Sequence, residues 1–335
     1  MITGDHHGER LGACTDCRRV WARFRASEID EREVNEINAK LAPAAGTCMV
    51  MGTASTMALC TEALGMMLPG GACPPAVMAE RMRHAEASGA RAVGMAKEKL
   101  TPDRIMTPAA FENALTTLLA VGGSTNAIVH LTAMAGRPGI RLDLDAFDRM
   151  GRTTPVLVDL KPTGQGYMED LYKAGGLAEI LKQIKKLMNL DALTVTGRTL
   201  GEELAAAAPS FAQQVVRPIG KPVFKGGSIA VLRGNLAPGG AIIKQAAMDP
   251  KLARHEGRAV VFESLEDLAN RIDDPKLDVT AKDFGLAVHE GFRSIEHVKR
   301  FTTTGMGTDQ GKTSNVSALA IVAGERGTSI EAEGT

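Results

Sequence analysis

The 335 residues carry 39 basic and 39 acidic side chains, so the formal charge is zero. That balance excludes a polycationic nucleic-acid binder and a lysine-rich membrane-surface protein, since both need surplus positive charge. No stretch approaches the ~20 apolar residues of a membrane span, and the opening MITGDHHGERLGACTDC lacks the apolar core of a secretory leader, so a cytoplasmic protein is expected.

Apolar residues make up 44% and charged residues 23%, the composition of a folded protein rather than a disordered one. Aromatics are only 4%, against 36 glycines and 16 methionines. The core must therefore be built from Ala, Leu, Ile, Val and Met, which suits an α/β enzyme with close helix packing and glycine loops. It does not suit a module that stacks nucleobases on aromatic platforms. The length implies about two domains.

In chain order, Cys14-Thr-Asp-Cys17 comes first. In a reducing compartment the pair reads as buried thiols in a polar turn, a redox pair or metal ligands. No second pair completes a zinc ribbon, and neither the strand nor the apolar helix of a thioredoxin-like site is evident around it. Residues 27–41 read as a surface helix with Ser27 as cap and an apolar stripe of Ile29, Val34, Ile37 and Leu41. Residues 46–52 (GTCMVMG) form a glycine-bounded loop carrying Cys48, and Thr53 opens a helix to about Met67.

A helix from Pro75 to Ser88 with Gly89 as terminator follows, then one from Pro108 to Val121. Gly122-Gly123-Ser124-Thr125-Asn126 interrupts the helical pattern, which resumes over 127–135. Residues 154–160 read as a buried strand, 161–166 as a glycine loop and 167–174 as a helix. Beyond 209 the pattern changes to strands at 228–236 and 258–264 with a helix at 264–272. A charged helical segment (281–300) and a Thr/Gly-rich run (302–315) close the chain.

Several motifs admit two meanings. Cys48, just ahead of a helix N-terminus, sits where the helix dipole and free backbone N–H groups stabilise a thiolate, as a metal or cluster ligand or a nucleophile requires, or it is a buried structural thiol. The GGSTN turn either offers hydroxyls and a helix N-terminus to an anion or serves tight helix packing. GMGTDQGKTS (305–314) is not a P-loop, because Gly305 leaves five residues and Gly307 three before Gly-Lys. His130 reads as an interior histidine, and His289 with His297 imply no metal geometry.

Long stretches carry a resemblance. GTCMVMGTASTMALCTEALGMMLPGG (46–71), GGSTNAIVHL (122–131), LVDLKPTGQGYMEDLYKAGGL (157–177), FKGGSIAVLRGNLAPGGAIIK (224–244) and EGRAVVFESLEDLANRI (256–272) resemble, in order, the dihydroxy-acid / phosphogluconate dehydratase family, which includes sugar-acid dehydratases. The resemblance covers about residues 1–279, and the GTAST wording is closer to the sugar-acid branch. It implies a three-layer α/β/α domain over 1–208 and part of a smaller β-barrel-like domain over 209–279. It also implies a hydro-lyase that dehydrates small 2,3-dihydroxy acids to 2-keto-3-deoxy acids, acting as a homo-oligomer with an iron–sulfur cluster and Mg²⁺. There the cluster draws off the 3-hydroxyl, magnesium holds the carboxylate and 2-hydroxyl, and a serine takes the C2 proton.

Of the family's ligand set, only Cys48 is carried over, as a cluster ligand. The other cluster cysteines, the magnesium-binding acid and a modified lysine belong upstream of Met1, and the serine base and a metal-binding glutamate beyond Asp278. A fragment inactive as this chain is therefore expected. DVTAKDFGLAVHEGFRSIEHVKRFTTTGMGTDQGKTSN (278–315) instead resembles a connecting segment of the sarcosine oxidase α subunit, so that 280–335 reads as a tail and the whole as a chimera. Two rival readings are a non-catalytic fusion with an assembly role and an oxidoreductase subunit fragment. The latter requires a GxGxxG fingerprint after a strand, which the sequence lacks.

Overall fold

The computed structural model describes residues 1–287 apart from 236, 249, 272, 273, 275, 281 and 282. The chain divides into two compact units, Met1–Met248 and the residues from Asp249 on.

The first unit opens with a hairpin, β1 (Gly4–His6) and β2 (Glu9–Leu11), paired antiparallel. Helix α1 (Ala13–Arg25) follows directly, so Cys14 and Cys17 lie on a strand-to-helix junction rather than in the polar turn expected from the sequence. Helix α2 (Glu31–Lys40) starts later than Ser27. Asp30 is the cap, accepting the Glu33 N–H at 2.7 Å, while Ser27 sits in a left-handed turn at φ +58°. An Asp four residues ahead of the first apolar pair outcompetes the more distant Ser because its side chain reaches the free N–H groups of the first turn. Val34 and Ile37 then join Leu11, Val20, Ile29 and Leu41 in a small core of their own.

Helices α3 (Thr53–Ala63) and α6 (Pro108–Ala120) form the centre of the unit and pack on each other. Between them run α4 (Ala79–Glu98) and the single turn α5 (Pro102–Ile105). Helix α4 passes straight through Gly89 and stops at Lys99, whose left-handed φ of +55° reverses the chain. Gly89 ends nothing because a lone helical glycine costs only about 1 kcal/mol. Helix α6 starts as its sequence predicts, with Pro108 in the first turn and Thr107 Oγ1 accepting the Ala110 N–H at 3.3 Å. From Ala110 to Ala120 only Glu112 is exposed, which is the signature of a helix enclosed on all sides. Its one buried amide is satisfied: Asn113 donates to the Asn189 carbonyl at 3.0 Å and accepts the Asn189 N–H at 2.7 Å.

Helices α7 (Asn126–Gly136), α8 (Leu144–Thr153), α9 (Met168–Lys173), α10 (Gly176–Gln183) and α11 (Leu200–Ala206) complete the helical layer. The expected strand at 154–160 is an extended, buried segment rather than part of a long ladder. It bonds through Val156 to Phe224, Val158 to Val216 and Leu160 to Gly166, and Leu157 N–H reaches the Ala120 carbonyl at 2.8 Å. The hairpin β3 (Ala230–Gly234) and β4 (Ala237–Ile243) packs against α8.

In the second unit β5 (Ala259–Phe262), α12 (Leu265–Arg271) and β6 (Phe284–Ala287) form a β-α-β crossover with parallel strands. The strand at 284–287 corrects the start of the helical segment expected over 281–300; the rest of that segment, the 302–315 run, His289 and His297 lie outside the described residues. Among the described residues, helices thus alternate with three two-stranded sheets, an α/β mixture.

One buried charge in the helical centre sets a test. Glu62 on α3 is 8% exposed and accepts the Gly70 and Ala72 N–H groups, each at 2.8 Å, tying down the turn after the helix. Burial pushes its carboxyl up to about 7 despite those amides and Arg81, which pull it down. A carboxyl that holds its proton more tightly when folded loses stability as pH rises from its unfolded value of about 4.3 to about 7. Glu62→Gln, which cannot ionise, should therefore gain about 3 kcal/mol relative to the parent between pH ~4 and ~8. Urea unfolding of both proteins across that range measures it; a constant difference would contradict the assignment.

Candidate functional site

Cys48 lies five residues before Thr53, the first residue of α3, in a bent loop segment whose backbone is held from both sides. The Met51 N–H donates to the Lys161 carbonyl at 2.9 Å, and the Met168 N–H donates to the Met49 carbonyl at 2.7 Å. The turn into the helix is closed by Ser55, whose Oγ accepts the Gly52 N–H at 3.1 Å and donates to the Val50 carbonyl at 3.0 Å. Met49, Val50 and Met51 are buried, and Cys48 packs beside them with Tyr167 while staying half-exposed.

The 161–168 loop that holds this segment is locked in turn by a polar cluster that reaches back to the first helix. Lys161 Nζ donates to Tyr167 Oη at 2.6 Å and to Asp16 Oδ1 at 3.1 Å. Tyr167 Oη directs its one proton to Asp16 Oδ2 at 2.8 Å, and Gly12 N–H donates to the same oxygen at 2.7 Å. Lys161 also stands over the Tyr167 ring, 4.4 Å from its centre. Burial alone would raise Asp16, but the hydrogen bonds from Tyr167, Gly12 and Lys161 outweigh it and hold the carboxyl below its usual range. Burial likewise works against the Lys161 charge, and the bonds to Tyr167 and Asp16 overcome it, raising that ammonium above its usual value. Sequence reasoning did not single out these three residues. The available signal was Asp16 lying one helical turn before buried Val20, a carboxylate on a core-facing stripe that must have a buried partner.

A second polar group lies where α3 and α7 begin. Thr53 Oγ1 and Ser124 Oγ are 3.1 Å apart, Asn126 Nδ2 donates to Thr53 Oγ1 at 2.9 Å, and Ser124 N–H donates to Thr56 Oγ1 at 3.0 Å. A Cβ on Gly123 would come within 2.5 Å of Leu118 and 2.7 Å of Thr56, so that glycine serves packing. Ser124, Thr125 and Asn126 remain half-exposed, with hydroxyl and amide groups at the paired helix starts.

The other thiols differ from Cys48. Burial pushes Cys60 up to about 12 and raises Cys73 as well, so neither is a thiolate near neutral pH. Cys17 packs half-buried on the α1–α2 core with Trp21 and Phe24, and the side chain of Cys14 lies outside the described set. His130 is exposed on α7, which corrects the expectation of an interior histidine. A cleft of about 410 Å³ lined by residues such as Glu112, Arg141, Arg149 and Asn189 includes neither Cys48 nor the α3–α7 polar group. No helix among the described residues is long and apolar enough to cross a membrane.

Comparison with known proteins identifies the family. Residues 1–203 match the model of the dihydroxy-acid/6-phosphogluconate dehydratase N-terminal domain, and residues 273–335 match that of the sarcosine oxidase A3 domain. An L-arabinonate dehydratase of Rhizobium leguminosarum bv. trifolii is 45% identical over 281 residues, covering 83% of this chain and 48% of the relative. An L-arabonate dehydratase of Azospirillum brasilense is 45% identical over 284 residues, covering 84% and 48%. A dihydroxy-acid dehydratase of Thermodesulfovibrio yellowstonii is 40% identical over 277 residues, covering 83% and 50%. The chain spans about half the length of the curated relatives it matches. With one family model matching more than half of its residues, the chain belongs to the dihydroxy-acid/6-phosphogluconate dehydratase family.

Proposed function

We propose that this chain is the part of a cytoplasmic, homo-oligomeric hydro-lyase that contributes one thiolate, Cys48, to the iron–sulfur centre of a 2,3-dihydroxy-acid dehydratase. The single observation that carries this reading is the half-exposed Cys48 thiol on a backbone pinned from both sides by the 161–168 loop. A metal ligand must be held in place before the metal arrives, and this segment is held. The identity to the sugar-acid dehydratases, 45% against 40–43% for the dihydroxy-acid dehydratases, is the support for a sugar acid as substrate. We further propose a three-layer segment over 1–208, a β-barrel-like one over 209–279 and a tail of second origin over 280–335; the separate family matches over 1–203 and 273–335 support a change of origin near the C-terminal end.

The residues in hand do not enclose a cluster by themselves. A cluster needs several thiolates, while Cys60 and Cys73 are buried and protonated. The remaining ligands, the magnesium site and the base for the C2 proton would come from other residues. What the chain's own groups do is bind and orient. An anionic 2,3-dihydroxy acid would meet Thr53, Ser124 and Asn126 at the starts of two helices, where hydroxyls, an amide and the positive helix ends favour a carboxylate.

Anaerobic reconstitution with iron, sulfide and magnesium tests the assignment. Weak thiolate-to-iron absorbance is expected that disappears in Cys48→Ser and survives Cys14→Ser combined with Cys17→Ser. Formation of 2-keto acid from arabinonate, gluconate or 2,3-dihydroxyisovalerate should be undetectable with residues 1–335 alone. Colour that persists in Cys48→Ser, or turnover above that variant, would overturn the reading. The support of the Cys48 segment is tested separately: Tyr167→Phe should destabilise the protein by about 1–3 kcal/mol and speed alkylation of Cys48. An unchanged alkylation rate would show that the tyrosine hydroxyl does not hold the loop.

A further inference from the structure

A group of metal-ligating side chains lies apart from Cys48, at the β1–β2 hairpin. The hairpin turns through His7 and Gly8, both left-handed at φ +53° and +85°, with Asp5 Oδ1 accepting the Gly8 N–H at 3.0 Å. On a regular strand His6 and His7 would project to opposite faces. The left-handed residue instead folds the second ring beside the first, with centroids 4.2 Å apart and planes tilted by 56°. Helix α2 packs against β1 and brings Glu36 to the same place. One nitrogen from each histidine and one Glu36 oxygen all lie within 4.8 Å of one another.

We propose that His6, His7 and Glu36 form a site for a divalent transition cation of the zinc class, with its remaining position open to water. Two imidazoles and one carboxylate are ligands that zinc, cobalt and nickel accept, whereas magnesium and calcium call for oxygen donors throughout. Bonds of about 2.0–2.1 Å in a tetrahedral shell place ligand atoms roughly 3.4 Å apart. The three atoms must close by at most about 1.4 Å, which side-chain rotation supplies because His7 and Glu36 are exposed while His6 is buried.

Two cations stand beside these side chains. Lys40 Nζ is 3.4 Å from His6 Nδ1, and Arg32 Nε donates to Glu36 Oε1 at 3.2 Å. Their charge opposes a dication, so the site is tuned to moderate affinity, and removing Lys40 strengthens it. Bound metal would clip the hairpin to α2 and fix the strand that leads into Gly12 and Asp16. His6, His7 and Glu36 lie outside the motifs that carry the dehydratase resemblance, so this inference does not rest on the function proposed above.

Calorimetric titration of the full chain with zinc chloride, after its accessible thiols are blocked with iodoacetamide, reads the site directly. One zinc per chain is expected, weakened roughly tenfold or more in His7→Asn and in Glu36→Gln, tightened in Lys40→Met, and not displaced by excess magnesium. His7→Asn preserves the turn, since asparagine tolerates the left-handed region, and Glu36→Gln keeps an acceptor for Arg32. Zinc should raise the Tm of the parent chain and leave that of His7→Asn unchanged. No zinc binding by the thiol-blocked folded chain, or an affinity unaltered in both variants, would overturn the proposal.

Discussion

The contact between Asp16, Lys161 and Tyr167 is the constraint on which the rest of the candidate site depends. A carboxylate, an ammonium and a phenol share a space from which water is largely excluded, and each supplies what the others need. Removing one partner from such a group costs more than the pair contributes, because a charge is left without compensation. The cluster thus fixes the 161–168 loop against the first helix. That loop, through Lys161 and Met168, fixes the backbone on either side of Val50 and so presents Cys48. Order at the thiol is inherited from a contact between residues 145 and 151 positions apart.

The distribution of cysteines follows from the same logic of burial. Cys60 and Cys73 are enclosed among apolar side chains, and the cost of burying a thiolate keeps them neutral. Cys48 differs in burial, its neighbours Met49 to Met51 being buried while its own side chain stays half-exposed. The polar groups of Thr53, Ser124 and Asn126 join the starts of α3 and α7, and Gly123, close against Leu118 of α6 and Thr56 of α3, leaves no room for a side chain.

Much of this was legible in the sequence where the signal is local. The Thr107-Pro108 start of α6, the α3 start after Gly52, the break at GGSTN and the loop around Cys48 all depend on caps, glycines and prolines within a few residues. Local signals misled where two of them competed, as at Ser27 against Asp30, or where a weak breaker such as Gly89 met a strong helical context. The hairpin at residues 4–11 was missed because its strands are only three residues each and its turn uses a histidine at a left-handed position. The Asp16–Lys161–Tyr167 contact has no local signature at all. Its members are ordinary polar residues until the chain brings them together, and only Asp16 on an apolar stripe hinted at a buried partner.

Through two backbone hydrogen bonds, this cluster holds the Cys48 segment. Amide hydrogen exchange of Met51 and Met168 in the parent chain and in Asp16→Asn measures that coupling most directly. Both amides should be protected in the parent and should lose protection together in the variant, while amides in the middle of α6 keep theirs. If Met51 and Met168 stay as protected in Asp16→Asn as in the parent, the cluster does not hold the segment and the account is wrong.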